Sequence, residues 1–336
     1  MTLVLSCITR QYVIQVSDRR LTNLDTGEPF VDPENNAVGF CKAVDFCGQM
    51  AFSYTGLAKV GTTPMDIWIA EALVDCESIP QAVETLRSKA TVSFGRIIAK
   101  RPEWKNTAII GIGWHSVASA EPLRPTICVI SNFHDEQLNE LPLPLDKFTA
   151  RMSVFQDSAP REFLVVGIGY LRSSNALARI VHNLNRNVAG AIKGREELSP
   201  QPILKFLVDA MRDIAGSSEA AEKRISRDLL AMTFPKRAVE SSFLPMSDGS
   251  IAVFSLLSKP DLSHRTFTYI PDGEADWIGF GPTFVCGGNI LYGFVAETLE
   301  EVKSRTVSTR FHKLKPGARA GGVILDDGRP GQFIRP

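Results

Sequence analysis

The chain opens Met1-Thr2-Leu3-Val4-Leu5-Ser6-Cys7-Ile8 and continues, past Arg10-Gln11, with Tyr12-Val13-Ile14-Gln15-Val16-Ser17-Asp18-Arg19-Arg20. Residues 3–9 and 11–17 read as two short strands. Both are rich in β-branched and apolar types, and in the second Val13, Gln15 and Ser17 alternate against Ile14 and Val16. A tight turn at Arg10-Gln11 makes them a hairpin, so Ser17-Asp18-Arg19-Arg20 returns beside the start of the chain.

Beyond the hairpin, residues 22–36 form a polar loop with turn formers. Strands resume near 38–46 and 49–55, the second closed by Thr55-Gly56. Pro64 suits a first helical turn, and Ile67, Ala70, Leu73 and Val74 recur at helical spacing. Pro80 opens a second helix with Ala82, Val83, Leu86 and Ala90 on one side, running past Ile97-Ile98. Strands follow at 107–113, 125–131 and 162–168, then helices near 173–193 and 201–215, then strands at 228–234 and 250–257. Strands alternating with paired helices do not suit a βαβ sheet; they suit two antiparallel sheets packed face to face under helix pairs. The fold class expected is α+β, a four-layer α-β-β-α sandwich.

From about residue 240 the pattern changes. Apolar stretches at 266–271 and 277–294 are broken by Gly279, Gly281, Gly287, Gly288 and Gly293, a short helix is expected near 296–304, and a Gly/Pro-rich tail follows Lys315. The division expected is one domain over 1–239 and a β-rich C-terminal extension with its tail over 240–336.

Composition narrows the function classes. The 336 residues are 44% hydrophobic and 22% charged, with 37 Lys plus Arg against 37 Asp plus Glu. That balance excludes a nucleic-acid or anionic-membrane partner recognised by bulk charge. No run of about 18 apolar residues argues for a membrane span, and the first twenty residues lack the apolar core of a secretory signal. The six cysteines (7, 41, 47, 76, 128 and 286) form no C-x-x-C pair, so reduced thiols and a cytoplasmic location are expected. His115, His134, His182, His264 and His312 lie too far apart to suggest metal-ligand spacing.

The chemistry gathers at the amino terminus. Methionine aminopeptidase removes Met1 readily before a small residue, which leaves Thr2 with both a hydroxyl and an α-amine. With a pKa of about 7.7–8.0, that amine is partly neutral at physiological pH. It can take the proton of its own side-chain hydroxyl, one form of activated nucleophile. A buried lysine nearby favours the neutral amine and stabilises the alkoxide, because like charge disfavours protonation. Lys42, in Phe40-Cys41-Lys42-Ala43-Val44-Asp45-Phe46, is the candidate, with Asp18 holding it by a charge-assisted contact. Gly56, just before a helix, offers an unobstructed N–H to the oxyanion of a tetrahedral intermediate.

Thr2 through Arg20, with Ser-Asp-x-Arg at this distance from the threonine, resembles the start of proteasome-type β subunits in the N-terminal-nucleophile hydrolase family. Phe40 through Phe46 is similar to the lysine strand of the ancestral bacterial proteasome-like (Anbu) group, and Lys42 precedes Gly56 by the fourteen residues expected of that pair. The resemblance covers residues 2–56 by motif and continues to about 235 by order of elements alone. It implies a threonine peptidase or amidohydrolase that cleaves peptide or amide bonds without a cofactor. Thr2 would be the nucleophile, Lys42 and Asp18 its activators, Gly56 the oxyanion donor, and Arg20 the residue that orients the aspartate. It also implies a homo-oligomer, ring or spiral, and leaves an unfoldase partner open.

Departures keep rivals in view. The family carries a Gly-Ser-Gly turn after its later strand where this chain has Gly167-Ile168-Gly169, leaving Ser173 or Ser174 as the substitute hydroxyl. Asp213, Ser217 and Ser218 are the nearest candidates for the family's further aspartate and serine, and Asn35-Asn36 competes for the lysine register. Two other functions stand as alternatives: a catalytically silent scaffold or binding subunit, and a small-molecule amidase or acylase of the same fold. Taken singly, Asp18-Arg19-Arg20 reads as an exposed strand end, Lys42 as a solvated strand lysine, Gly167-Ile168-Gly169 as a tight turn, and Cys7 as core packing rather than a nucleophile.

Overall fold

A computed structural model describes residues 3–18, 42–100, 106–116, 122–155, 163–169, 174–195, 197–217, 225–236, 254–256, 266–270, 272, 278–279, 282–291, 311–313 and 323–325. The expected loop at 22–36 and helix near 296–304 lie outside the described residues.

A threonine hydroxyl fixes the first hairpin. Thr9 Oγ1 accepts from the amides of Tyr12 at 2.9 Å and Gln11 at 3.3 Å, and donates to the Tyr12 carbonyl at 3.0 Å. β1 (Leu3–Thr9) and β2 (Tyr12–Asp18) therefore pair across Arg10-Gln11, with Ile8 opposite Val13 and Val4 opposite Ser17. Next come β3 (Val44–Phe46), β4 (Met50–Thr55) and a small ribbon of β5 (Lys59–Val60) and β6 (Thr63–Pro64). The helices α1 (Met65–Leu73) and α2 (Ile79–Lys100) are followed by β7 (Ala108–His115), β8 (Arg124–Ser131), β9 (Thr149–Val154) and β10 (Phe163–Gly169). Then α3 (Ser174–Ile192) and α4 (Pro200–Ala215) precede β11 (Leu229–Pro235) and β12 (Phe254–Leu256). Six further short strands complete the order: β13 (Thr266–Ile270), β14 (Ile278–Gly279), β15 (Thr283–Cys286), β16 (Asn289–Leu291), β17 (Phe311–Lys313) and β18 (Val323–Leu325).

The chain is mixed α and β, with four helices and several sheets among the described residues. One sheet has the order β10-β1-β2-β11-β13-β14 and another β17-β16-β15-β3-β4-β7-β8-β9. Pairing is antiparallel except for β15 with β3 and β12 with β18. None of the described helices is long and apolar enough to cross a membrane.

Successive side chains of a strand point to opposite faces, and here both faces are buried. Leu3, Leu5, Cys7, Ile14 and Val16 pack with Leu204, Leu207 and Met211 of α4 and Val188 of α3. Their neighbours Val4, Ile8 and Val13 join Leu230 and Met232 of the same sheet to Ala51, Ile110, Ile112 and Trp114 of the other. A third cluster sets Phe52, Ile109 and Ile130 against Ile69, Leu73, Leu86 and Phe94 of α1 and α2. Each fully buried side chain of this size contributes roughly 1.5–3 kcal/mol. Polar links also cross between the sheets, among them Ser53 Oγ donating to Gln15 Oε1 at 2.6 Å and Trp114 Nε1 donating to the Phe234 carbonyl at 3.0 Å.

Several details differ from the sequence reading. β9 was not expected; it pairs with β8 along six residues. Gly167-Ile168-Gly169 is strand, not turn, because the β1 ladder holds it as far as Gly169 opposite Leu3. β12 pairs with β18 in a two-stranded sheet of its own and joins neither large sheet. The expectation of reduced thiols fails at Cys47, which is disulfide-bonded. Cys7, Cys76 and Cys128 are free and buried.

Candidate functional site

The hairpin register sets the first element of the site. With Val4 opposite Ser17, Asp18 comes level with Leu3, and the Leu3 amide donates to Asp18 Oδ1 at 2.9 Å. That amide is the one joining Thr2 to Leu3. The second carboxylate oxygen faces the other sheet, where Lys42, two residues before β3, brings its Nζ to 3.4 Å from Asp18 Oδ2. Both side chains have no exposed surface, so the solvated readings of Asp18 and Lys42 do not apply. Thr2 and Arg20 lie outside the described residues.

Burial dominates the electrostatics. Desolvation lifts the Asp18 carboxyl above its ordinary value, against the pull of the Lys42 ammonium, then of the charge at the amino terminus, then of the Leu3 N–H. The ammonium and carboxylate are thus interdependent: a buried ion deprived of its partner is strongly destabilising, by about 3–5 kcal/mol. Next to Asp18, Ser17 Oγ is buried and has no hydrogen-bond partner among the described residues.

Gly56 follows directly on Thr55, the last residue of β4. Its φ is +95°, and a Cβ placed there would lie 2.3 Å from the Asn106 carbonyl oxygen and 2.7 Å from Thr107 Oγ1. Only glycine fits, for reasons of backbone and space that are independent of any reaction.

The remaining candidates fall elsewhere. Ile168 sits opposite Val4 in the β1–β10 ladder and is buried in the cluster shared by the two sheets. Ser173, Ser218 and Asn35-Asn36 lie outside the described residues, as does the side chain of Ser174. Asp213 and Ser217 line a cavity of about 610 Å³ between α3 and α4, with Asn187 and Phe206, and Ser217 Oγ donates to the Ile214 carbonyl at 2.7 Å. Cys7 is fully buried and its thiol is pushed up to about 12 by desolvation, which leaves no reactive thiolate.

One group escaped the sequence reading. Gln15 Nε2 donates to Ser6 Oγ at 3.0 Å while its Oε1 accepts from Ser53, and all three side chains are buried. The available signal was a polar residue flanked on both sides by apolar ones at each of the three positions, Leu5-Ser6-Cys7, Ile14-Gln15-Val16 and Phe52-Ser53-Tyr54.

No family model matches the chain, and no curated protein matches it. Among solved structures, the chain is similar to the Anbu (Gly-1) mutant from Hyphomicrobium sp. strain MC1, at 14% identity and a TM-score of 0.38, covering 70% of this chain and 82% of that one. It is also similar to Anbu (ancestral beta-subunit) from Yersinia bercovieri, at 13% identity and a TM-score of 0.39, with the same coverage.

Proposed function

We propose that this chain is an N-terminal threonine hydrolase of the proteasome type, cleaving peptide or amide bonds through an acyl enzyme on Thr2 after Met1 is removed. The observation that carries the proposal is the buried Asp18–Lys42 pair, with the same Asp18 gripping the amide of the Thr2–Leu3 bond. A charge pair withdrawn from water and aimed at the start of the chain has no evident use on a solvated strand end. Beside a free threonine it has one.

In this reading the Thr2 α-amine takes the hydroxyl proton as Oγ1 bonds to the substrate carbonyl carbon. Lys42 stabilises the forming alkoxide and keeps the amine from holding a resting proton. The Gly56 N–H receives the oxyanion. The leaving amine departs with the proton held on the α-ammonium, and water, deprotonated by the same amine, releases the acyl group. No metal or organic cofactor enters the reaction. The three clusters support a layering of helices, sheet, sheet, helices as the four-layer α-β-β-α sandwich, with residues 240–336 as its extension. The sequence resemblance carries the proposal on to a homo-oligomer, ring or spiral.

A second reading is a catalytically silent scaffold. Ile168 favours it, because the strand beside Leu3 and Val4 carries an apolar core residue where the family has a hydroxyl. Intact mass after treatment with a threonine-reactive β-lactone or epoxyketone separates the two. The hydrolase loses Met1 and gains one adduct that Thr2→Ala lacks. Retained Met1 in the native host, or a folded protein that takes no adduct, overturns it. Turnover of small amides but of no peptide would place the chain among small-molecule amidases instead.

A further inference from the structure

Gln15 sits within β2 with no exposed surface, between the apolar Ile14 and Val16. Its side-chain amide is engaged in two directions. Ser6 lies opposite it in the β1–β2 ladder, so the bond from Nε2 to Ser6 Oγ stays within one sheet. Ser53 belongs to β4, so the bond from Ser53 Oγ to Gln15 Oε1, 2.6 Å long, crosses to the other sheet.

These three strands are the ones whose ends make the proposed site. β1 begins one residue after Thr2, β2 ends at Asp18, and β4 runs out through Thr55 into Gly56. Gln15 precedes Asp18 by three residues and Ser53 precedes Gly56 by three, about 10 Å of strand in each case. Apolar packing between two sheet faces is non-directional and sets their lateral offset weakly. A short buried hydrogen bond between fixed strand positions sets it sharply. Of the other polar crossings, Trp114 to the Phe234 carbonyl stands further off, since Phe234 pairs with Val13 at the end of β2 away from Asp18, and Lys42 to Asp18 is a longer contact, 3.4 Å, made by a flexible side chain two residues before β3.

We infer that Gln15 is a positioning residue: through Ser53 it fixes the offset between the sheet bearing Gly56 and the sheet bearing Asp18, and so the approach of the oxyanion donor to the threonine hydroxyl. The inference rests on the reading of Thr2 as nucleophile, and it separates the two bonds of Gln15 by function. The cross-sheet bond matters to the reaction; the bond within the sheet matters to stability alone.

The test compares Ser53→Ala, which removes only the cross-sheet bond, with Ser6→Ala, which removes only the bond within the sheet. Gln15→Leu removes both, and Ser53→Thr keeps the hydroxyl. The rate of β-lactone labelling is measured per folded molecule as a function of lactone concentration. A misplacement of about 1 Å costs roughly a hundredfold in rate. Ser53→Ala and Gln15→Leu should therefore lower the limiting labelling rate by roughly tenfold to a hundredfold with half-saturation unchanged. Ser6→Ala should stay within about threefold, and Ser53→Thr should recover most of the loss. Equal losses in Ser6→Ala and Ser53→Ala, or rates unchanged once the folded fraction is counted, overturn the inference. If Gln15→Leu does not fold, the serine variants decide. If the wild type takes no lactone, the Thr2 reading fails and crystal structures decide this one. The separation of Gly56 N from Asp18 Cγ must then differ between wild type and Ser53→Ala; superimposable structures overturn the inference.

Discussion

Asp18 and Lys42 depend on each other in a way that single substitutions expose. Lys42→Met keeps the bulk and removes the cation, which leaves the Asp18 carboxyl buried with the Leu3 amide as its remaining partner among the described residues. The expected cost at pH 7 is about 3–5 kcal/mol. That cost carries a pH signature. The orphaned carboxyl has a folded-state pKa raised well above its unfolded value, so the folded state holds its proton more tightly, and stability is retained at low pH and lost as pH rises through the folded value. Urea unfolding of Lys42→Met should show a smaller deficit at pH 5 than at pH 8; equal deficits would mean that the two side chains are not coupled. Asp18→Asn keeps an acceptor for the Leu3 amide but takes the carboxylate from beside the buried Lys42 ammonium, so it too should lose about 3–5 kcal/mol, and its folded fraction should label with β-lactone far more slowly than wild type. Gly56→Ala is a poor probe of the oxyanion role. Its φ of +95° and the Asn106 and Thr107 contacts already forbid a side chain, so the variant should lose stability, by about 1–3 kcal/mol or more, whether or not the N–H meets a substrate. Asp18's place beside Leu3 was legible because a two-residue turn fixes the hairpin register; the register says nothing of Lys42, whose approach from the other sheet was expected from the resemblance. The Gln15 contacts were not. Alternation of Val13, Gln15 and Ser17 against Ile14 and Val16 reads equally as a solvent face or as a polar seam between two sheets, and only the burial of all five tells them apart.

Among the elements, α1 holds a group whose titration works against the fold. Asp66 lies in its first turn, buried, with Oδ2 accepting from Thr283 Oγ1 at 3.2 Å and Oδ1 without a hydrogen-bond partner among the described residues. Desolvation pushes its carboxyl up to about 6, only partly offset by the Ile67 amide and Thr283. Because the folded value lies above the unfolded value of about 3.9, the folded state binds the proton more tightly. Its contribution is fully present below about pH 4 and is lost as pH rises to about 6, on the order of 3 kcal/mol in all. Asp66→Asn keeps an acceptor for Thr283 and removes the charge. Thermal melts between pH 4 and 8 should show the variant gaining on wild type as pH rises, by roughly 1–3 kcal/mol at pH 7; a gap that does not change with pH would rule this out. The helices themselves were legible from apolar spacing and from Pro64 and Pro80, and the central strands from their unbroken apolar runs. β9 was missed although Thr149-Ala-Arg-Met-Ser-Val alternates polar with apolar residues, the period of a strand; the run is short and only half-buried at a sheet edge. The parallel pairs of β3 with β15 and β12 with β18 join segments more than sixty residues apart in sequence, which no local pattern encodes.

Across the whole molecule, residues beyond 240 enter all three clusters. Phe267 packs edge-on against Phe234 at 5.6 Å between ring centroids, in the cluster shared by the sheets. Ile270 joins the cluster under α3 and α4, and Val285 and Ile290 join the one under α1 and α2. β13 also covers the edge of β11 along five residues, and β15 covers the edge of β3 along three. Composition had marked this stretch as different because its short strands are separated by glycine-rich turns, a pattern that records turn chemistry and not whether the strands join the main sheets. Truncation after residue 239 would remove these side chains and leave two strands with unpaired backbone groups, which template association with other chains. At roughly 1.5–3 kcal/mol for each large buried side chain, the loss rivals the 5–15 kcal/mol by which a typical domain is stable. A chain of residues 1–239 should therefore be recovered aggregated or without a cooperative thermal transition, while the full chain melts in one step. A soluble 1–239 fragment with a melting temperature near that of the full chain, and with β-lactone labelling intact, would make the last hundred residues an appendage and return the burden of stability to the first two sheets alone.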